Sequence, residues 1–579
     1  MKETKKTGRF CDLPTPFEIA AASDWTEYPR PQLRRQAYLS LCGDWELFLR
    51  CGGKETPLGV IRVPFPPESR ISGIGRPLAA GEQYVYQRSF TLPPEAVGRV
   101  LLHFGAVDQM ARVFLNGQPV GQHEDGYLPF TLDITDAVRQ GENALTVEVT
   151  DELDLDLPYG KQRRRRGGMW YTPISGIWQP VWLEWVPEHY IRALRITPTL
   201  TDVTIETVGG NKEKTVTLHL SLGDQTVTFS GDRVTIPVEN PIHWTPENPH
   251  LYEFTLTDGT DVIDSYFALR TVTIQQVNGQ AVICLNGKPY FFHGLLDQGY
   301  FSDGIYLPAA PEGYGWDIRT MKHLGFNMLR KHIKIEPERF YYDCDRYGMI
   351  VFQDMVNSGR YNFLMDTALP TIGLRRGFSH RASPRRKAAF ARHTKAVVER
   401  LYNHPCVCYY TIFNEGWGRH DADRISTELK ALDPTRVWDA TSGWFAEQKN
   451  DVTSEHVYFK PIRLKADPAR PLVLSEFGGY ACKIAGHAYN REKTYGYKLF
   501  DQKEEFAAAL ERLYRDEIIP AIRGGLCAAV LTQVSDVEDE TNGLVTYDRQ
   551  VVKVEEARMA ALADELRQAF AARMEEQHV

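Results

Sequence analysis

Cys406-Val407-Cys408-Tyr409-Tyr410-Thr411-Ile412-Phe413 runs on without a charge and stops at Asn414-Glu415-Gly416-Trp417. A short run that lacks polar alternation reads as a strand buried on both faces, the habit of parallel sheets. Seven more runs share this texture: Tyr290–Leu296, Asn327–Arg330, Met349–Phe352, Val437–Ala440, Glu455–Phe459, Leu472–Ser475 and Leu526–Thr532. Amphipathic helices are predicted between them. Ala388–Tyr402 is one; Phe506–Ile519 is another, with Phe506, Leu510 and Leu513 at helical spacing and Pro520 marking its end. Eight strand–helix units between residues 274 and 579 have the size of a (β/α)8 TIM barrel.

The preceding sequence has a different texture. Arg99–Phe104, Met110–Leu115 and Ala144–Val149 are short β-like runs, separated by turn signals such as Asn116-Gly117 and Glu124-Asp125-Gly126. Residues 30–188 therefore read as a jelly-roll sandwich. Thr215–Leu222, Thr226–Phe229, Val234–Val238 and Tyr252–Leu256 repeat the pattern on a smaller scale, with Pro241–Pro249 as a loop. Residues 189–273 read as an immunoglobulin-like β-sandwich, and residues 1–29 as an N-terminal extension. The predicted fold class is thus multidomain β plus α/β.

Composition excludes several classes. Hydrophobic residues make up 43% and charged residues 25% of the chain, which argues against disorder. A net charge of −8 over 579 residues does not suggest a nucleic-acid surface. No leader follows Met1–Phe10, and no apolar run is long enough to span a membrane. Nine scattered Cys without a Cys-x-x-Cys spacing read as reduced thiols of a cytoplasmic protein. Arg163–Arg166, four Arg beside Gly167-Gly168, reads as a solvated loop or as a loop reaching toward an anionic ligand or partner subunit.

In TIM barrels the chemistry sits at the C-terminal strand ends. The fourth run ends in Asn414-Glu415 and the seventh in Glu476-Phe477-Gly478-Gly479, so two carboxylates are expected to face each other across the mouth. Paired carboxylates are what glycosidic cleavage needs, although such pairs also ligate metals. Other strand ends contribute Arg330-Lys331-His332, Ser442-Gly443-Trp444, His456 with Tyr458, and Thr532-Gln533. Trp417 and Trp444 either stack on a pyranose ring or close the barrel.

These residues resemble glycoside hydrolase family two, home of β-galactosidases, β-glucuronidases and β-mannosidases. Tyr28–Leu33, Leu41–Trp45, Val63–Ser69, Val113–Gly117 and Ser175–Trp178 are similar to signatures of that family's sugar-binding domain, and Asn286–Pro289 to its barrel entry. The resemblance covers nearly the whole chain. It implies that Glu415 is the acid/base and Glu476 the nucleophile, with Asn414 bonded to the sugar 2-OH, Tyr458 to the nucleophile and His332 to substrate. Three stretches depart from the family pattern. Leu296-Asp297-Gln298-Gly299 stands where many members have Arg-His, Thr532-Gln533 where a Trp is common, and Asn542-Gly543-Leu544 lacks the Lys of the glucuronidase Asn-x-Lys motif.

The sequence thus predicts an exo-acting retaining hydrolase of a terminal β-linked sugar, β-galactosidase-like. Other glycones (β-galacturonide, β-glucuronide, β-mannoside, L-arabinoside) are the alternative, and a catalytically silent carbohydrate-binding protein is a more distant one. Asp297, His456, Trp444, Trp417 and Gln533 are further candidate substrate contacts. No metal or cofactor is expected. The partners are a carbohydrate and possibly further copies of the chain, with no nucleic acid and no membrane. A rival is a metal-dependent hydrolase built on His293, His332 and Asp297.

Overall fold

The computed structural model describes residues 11–18, 25–221, 223–372, 374, 380–445 and 447–575. The stretch read for a leader, Met1–Phe10, lies outside them. The first sandwich packs a six-stranded sheet, from Gly43–Cys51 to Gly141–Thr150, on a four-stranded one that includes Arg99–Phe104 and Val181–Val186. Their alternating residues interdigitate around Trp45, Leu47, Tyr86 and Val147. The second sandwich is three strands on four, with Val216, Leu218, Phe254 and Leu256 inside. No helix among the described residues is long and apolar enough to cross a membrane.

The barrel strands are β1 (Phe292–Asp297), β2 (Met328–Lys331), β3 (Ile350–Asp354), β4 (Val407–Phe413), β5 (Val437–Thr441), β6 (Thr453–Val457), β7 (Leu472–Gly478) and β8 (Leu526–Thr532). They form one parallel sheet in the order β5-β4-β3-β2-β1-β8-β7-β6. The sheet curls into a nearly closed barrel whose ladder is open between β5 and β6. Every residue of β4, β7 and β8 is buried, as an apolar run without alternation requires. Burying each Leu or Val contributes about 1.5–3 kcal/mol.

Several boundaries differ from expectation; the seventh strand, for one, runs past Ser475 to Gly478 and takes in Glu476. The sixth strand starts and ends two residues earlier, so Tyr458 stands just past it. Pro520 does not end its helix. Lys503–Leu513 passes into a π turn, Tyr514–Ile518, and continues as Ile519–Arg523. Pro520 follows that π turn, at the point where the helical hydrogen-bond register shifts.

Candidate active site

β4 delivers Glu415 through a sharp backbone turn. Glu415 has φ 49° and ψ 24°, left-handed for a residue with a Cβ. The turn takes the chain off the strand axis, and Ser442 Oγ lies 3.3 Å from the Glu415 N–H. Glu476 sits within β7 where the register against both neighbouring strands shifts, an irregularity of the kind that re-aims a side chain. His456, from β6, lies between the two. Its Nδ1 is 3.0 Å from Glu415 Oε1 and 3.6 Å from Glu476 Oε2. One ligand atom from each of Glu415, His456 and Glu476 lies within 4.8 Å of the others.

Arg330 is the hub beneath them. Its guanidinium donates to Asp354 Oδ1 at 2.9 Å, Glu476 Oε1 at 3.0 Å, Asn414 Oδ1 at 2.8 Å and the Ser475 carbonyl at 2.9 Å. Its Nη1 also faces His456 Nε2 at 3.4 Å. Guanidinium can only donate, so Nε2 accepts and Nδ1 carries the proton that points at Glu415. Ser442 Oγ also donates to Asn414 Oδ1 at 3.0 Å. With that oxygen occupied, the Asn414 amide NH2 is the end left for a ligand.

Tyr458 donates to Glu476 and lies 2.9 Å from Thr532 Oγ1. His332 holds Asp354 Oδ2 through Nδ1 at 2.7 Å. Trp444, half-buried, stands edge-on to His456 with ring centroids 5.6 Å apart. Glu415, Glu476, Asn414, His332, His456, Tyr458 and Trp444 are therefore brought to one mouth.

Burial raises the Glu415 carboxyl and so does neighbouring Glu476, against the lowering effect of the His456 hydrogen bond. Burial would raise Glu476 too, but His456, Arg330 and His332 together with the Tyr458 hydroxyl hold it well below the usual carboxylate range. The two environments push the carboxyls apart, one toward the acid form and the other toward the carboxylate. Closely spaced carboxyls so divided can protonate a leaving oxygen and attack from the opposite face. A cation among Glu415, His456 and Glu476 would sit beside the Arg330 guanidinium, which already neutralises Glu476.

Three expected contacts stand elsewhere. Asp297 accepts from Lys331 Nζ at 2.7 Å and from the Gly299 N–H at 2.9 Å, so both of its oxygens are used. Gln533 is fully buried, with its amide shared among Gln298, Glu540 and Asn542. Trp417 is 2% exposed and stacks on Trp170 with centroids 5.3 Å apart, closing the wall between the first sandwich and the barrel. His293 packs on Phe326 and meets Tyr514 at 3.0 Å, so His293, His332 and Asp297 do not converge on a metal.

The first sandwich supplies what strand-end reasoning missed. Its segment Tyr159–Thr172 leans onto the mouth. Tyr159 N–H meets the Asn357 carbonyl at 3.1 Å and its hydroxyl the Gly359 carbonyl at 2.8 Å. Tyr171 donates to Glu540 Oε2 at 2.6 Å. Arg163 lies 3.7 Å over the Trp170 ring, and Arg166 reaches Tyr489 at 2.6 Å and Glu538 at 3.2 Å. The Arg run is thus partly an interdomain clamp.

The chain matches three family descriptions in order: "Glycosyl hydrolase 2 galactose-binding domain-like" over residues 76–174, "Glycosyl hydrolases family 2" over 190–270 and "Glycosyl hydrolases family 2, TIM barrel domain" over 276–552. It is 27% identical over 477 residues to a β-galactosidase of Aeromonas hydrophila subsp. hydrophila, covering 73% of this chain and 43% of that protein. It spans less than half the length of the curated relatives it matches. Its fold is that of a β-D-glucuronidase from Dictyoglomus thermophilum, at TM-score 0.71 and 20% identity over 94% of this chain and 98% of that one. A β-galacturonidase from Eisenbergiella tayi bound to galacturonate gives TM-score 0.66 and 20% identity over 94% and 99%.

Proposed function

The chain belongs to glycoside hydrolase family 2, and we propose that it is an exo-acting, retaining hydrolase of a terminal β-linked sugar. The observation that carries this reading is the spacing of Glu415 and Glu476, whose nearest oxygens lie within 4.8 Å. Retaining enzymes keep their carboxyls about 5–5.5 Å apart, whereas inverting ones need about 6.5–9.5 Å to admit a water.

In this reading Glu476, ionised, attacks the anomeric carbon as the glycosidic C–O bond breaks. Glu415 gives its proton to the departing oxygen. Water then attacks the glycosyl ester; Glu415 takes its proton and Glu476 leaves as the free carboxylate. Arg330 and Tyr458 aim Glu476, and the Asn414 amide is placed for a sugar hydroxyl. His332 offers Nε2 to substrate while Asp354 fixes its other nitrogen. Trp444 is the aromatic platform.

The curated relative's name favours a β-galactoside as glycone; one structural observation, taken up below, favours an acidic sugar. Nine cysteines with no disulfide among the described residues support a reducing, cytoplasmic setting. The domain division at residues 30, 189 and 274 belongs to the same proposal. A panel of p-nitrophenyl β-glycosides tests the reading. It requires turnover of at least one of them, abolished in Glu476→Gln; a Glu476→Gln variant as active as the parent would overturn it.

A further inference from the structure

Five lysines are buried among the described residues: Lys161, Lys214, Lys331, Lys334 and Lys553. A buried ammonium is costly unless paired. Four of the five are paired: Lys214 with Asp232 at 3.1 Å, Lys331 with Asp297 at 2.7 Å, Lys334 with Glu336 at 2.9 Å and Lys553 with Asp536 at 2.5 Å. Lys161 is 7% exposed, and among the described residues its Nζ has no hydrogen bond and no carboxylate within 4 Å. Its ammonium lies 5.9 Å from the Tyr171 ring centre and 5.7 Å from that of Trp417. Ring faces stabilise a cation but take up none of its three N–H donors.

Lys161 comes from the first sandwich, yet its charge acts inside the barrel mouth. It favours the ionised forms of Glu415 and Glu540 and disfavours protonation of His332. Those residues follow β4, β8 and β2, and Trp417, 5.7 Å from the ammonium, closes the turn after β4. The residues that follow it in the loop, Arg163, Arg164 and Arg165, line a cleft of about 460 Å³ with Arg360 and the carboxylate of Glu152. A lysine beside the barrel mouth whose three N–H donors are claimed by no described residue suits a negatively charged substrate.

We propose that Lys161 is the specificity residue of this site, receiving an anionic group carried by the sugar that is cleaved. The shared chemistry is a compact oxyanion, either the carboxylate of a uronic acid or a sulfate ester. This deepens the glycosidase reading and rests on it. The cation is supplied from the first sandwich, while the barrel stretch Asn542-Gly543-Leu544 offers none.

The test compares full-length parent and Lys161→Met on p-nitrophenyl β-D-galacturonide, β-D-glucuronide, β-D-galactoside and 6-sulfo-β-D-galactoside. Free galacturonate and galactose are titrated in parallel by calorimetry, a readout that needs no turnover. The parent should prefer an acidic substrate. In Lys161→Met the acidic-to-neutral ratio of kcat/KM should fall by about 30-fold or more, the loss expected for truncating one partner of a buried charge pair. Lys161→Arg should keep most of the ratio. The uronide and sulfate arms identify which oxyanion is bound. Equal loss on acidic and neutral substrates would overturn the proposal, leaving Lys161 a structural cation. Equal affinity of the parent for galacturonate and galactose, together with no preference for the glucuronide or the 6-sulfo-galactoside over the galactoside, would overturn it too, even if Lys161→Met failed to fold. Silence on every glycoside together with selective galacturonate binding would count against the hydrolase reading and support Lys161.

Discussion

His456 Nδ1 lies 3.0 Å from Glu415 Oε1, and the same nitrogen is 3.6 Å from Glu476 Oε2. One imidazole thus touches both carboxyls, while Arg330 contacts only Glu476 of the two. The asymmetry divides their labour: Glu476 has a full cation against it and Glu415 a shared N–H.

Replacing Glu415 by Gln removes a proton donor and leaves the shape. Hydrolysis of glycosides with poor leaving groups should fall by about 10²–10⁴-fold, the usual share of general acid catalysis. Activated aryl glycosides should suffer less in the first chemical step. Steady-state kinetics across leaving groups of graded acidity checks this; a uniform loss would remove Glu415 from the acid role.

The pH–rate profile should be a broad bell. Glu476, held low, stays ionised to a pH below the ordinary glutamate value of about 4.3, so the acid limb moves down. Glu415, raised, keeps its proton above that value, so the alkaline limb moves up. In Glu415→Gln the alkaline limb should vanish while the acid limb stays. In His456→Phe, which strips a lowering influence from Glu476, the acid limb should climb. Profiles of kcat/KM for the parent and both variants give the comparison.

Arg330→Met should cost stability as well as rate. Removing one partner from a buried, hydrogen-bonded charge network costs about 3–5 kcal/mol. Arg330 is 1% exposed and bridges the carboxylates of Asp354 and Glu476. Thermal unfolding should show an earlier transition, and the acid limb of activity should rise with Glu476. An unchanged transition would deny Arg330 its place as the hub.

Trp170→Ala tests the interdomain wall. It removes the ring stacked on Trp417 and the seat of Arg163. An aromatic truncation of this kind costs about 3–5 kcal/mol. KM should rise and the first transition on heating should move down, because Tyr159–Thr172 loses its anchor on the barrel. Unaltered KM and unfolding would mean that this segment does not shape the mouth.

Much of the site was legible because barrel strands announce themselves. Val407–Phe413 and Leu472–Ser475 are continuous apolar runs, and a carboxylate interrupting such a run is costly unless it is used. Side-chain direction was less legible. Arg330 and Lys331 are neighbours, yet alternation sends Arg330 to Glu476 and Lys331 to Asp297, which is why Asp297 leaves the mouth. Gln533 and Trp417 lie past strand ends, where their contacts depend on partners distant in sequence: Gln298 for one, Trp170 for the other. Lys161 and Tyr171 were invisible as site residues because they belong to another domain, and only docking of the sandwich brings them over the barrel.

The configuration of the first sugar released tests the central claim most directly. Proton NMR of the anomeric signal, followed from the start of hydrolysis of the best β-glycoside, separates the two mechanisms. With Glu415 and Glu476 as closely spaced as they are, the β-anomer should appear first and mutarotate afterwards. An α-anomer appearing first would mean a single displacement by water and would contradict the assignment of Glu476 as nucleophile.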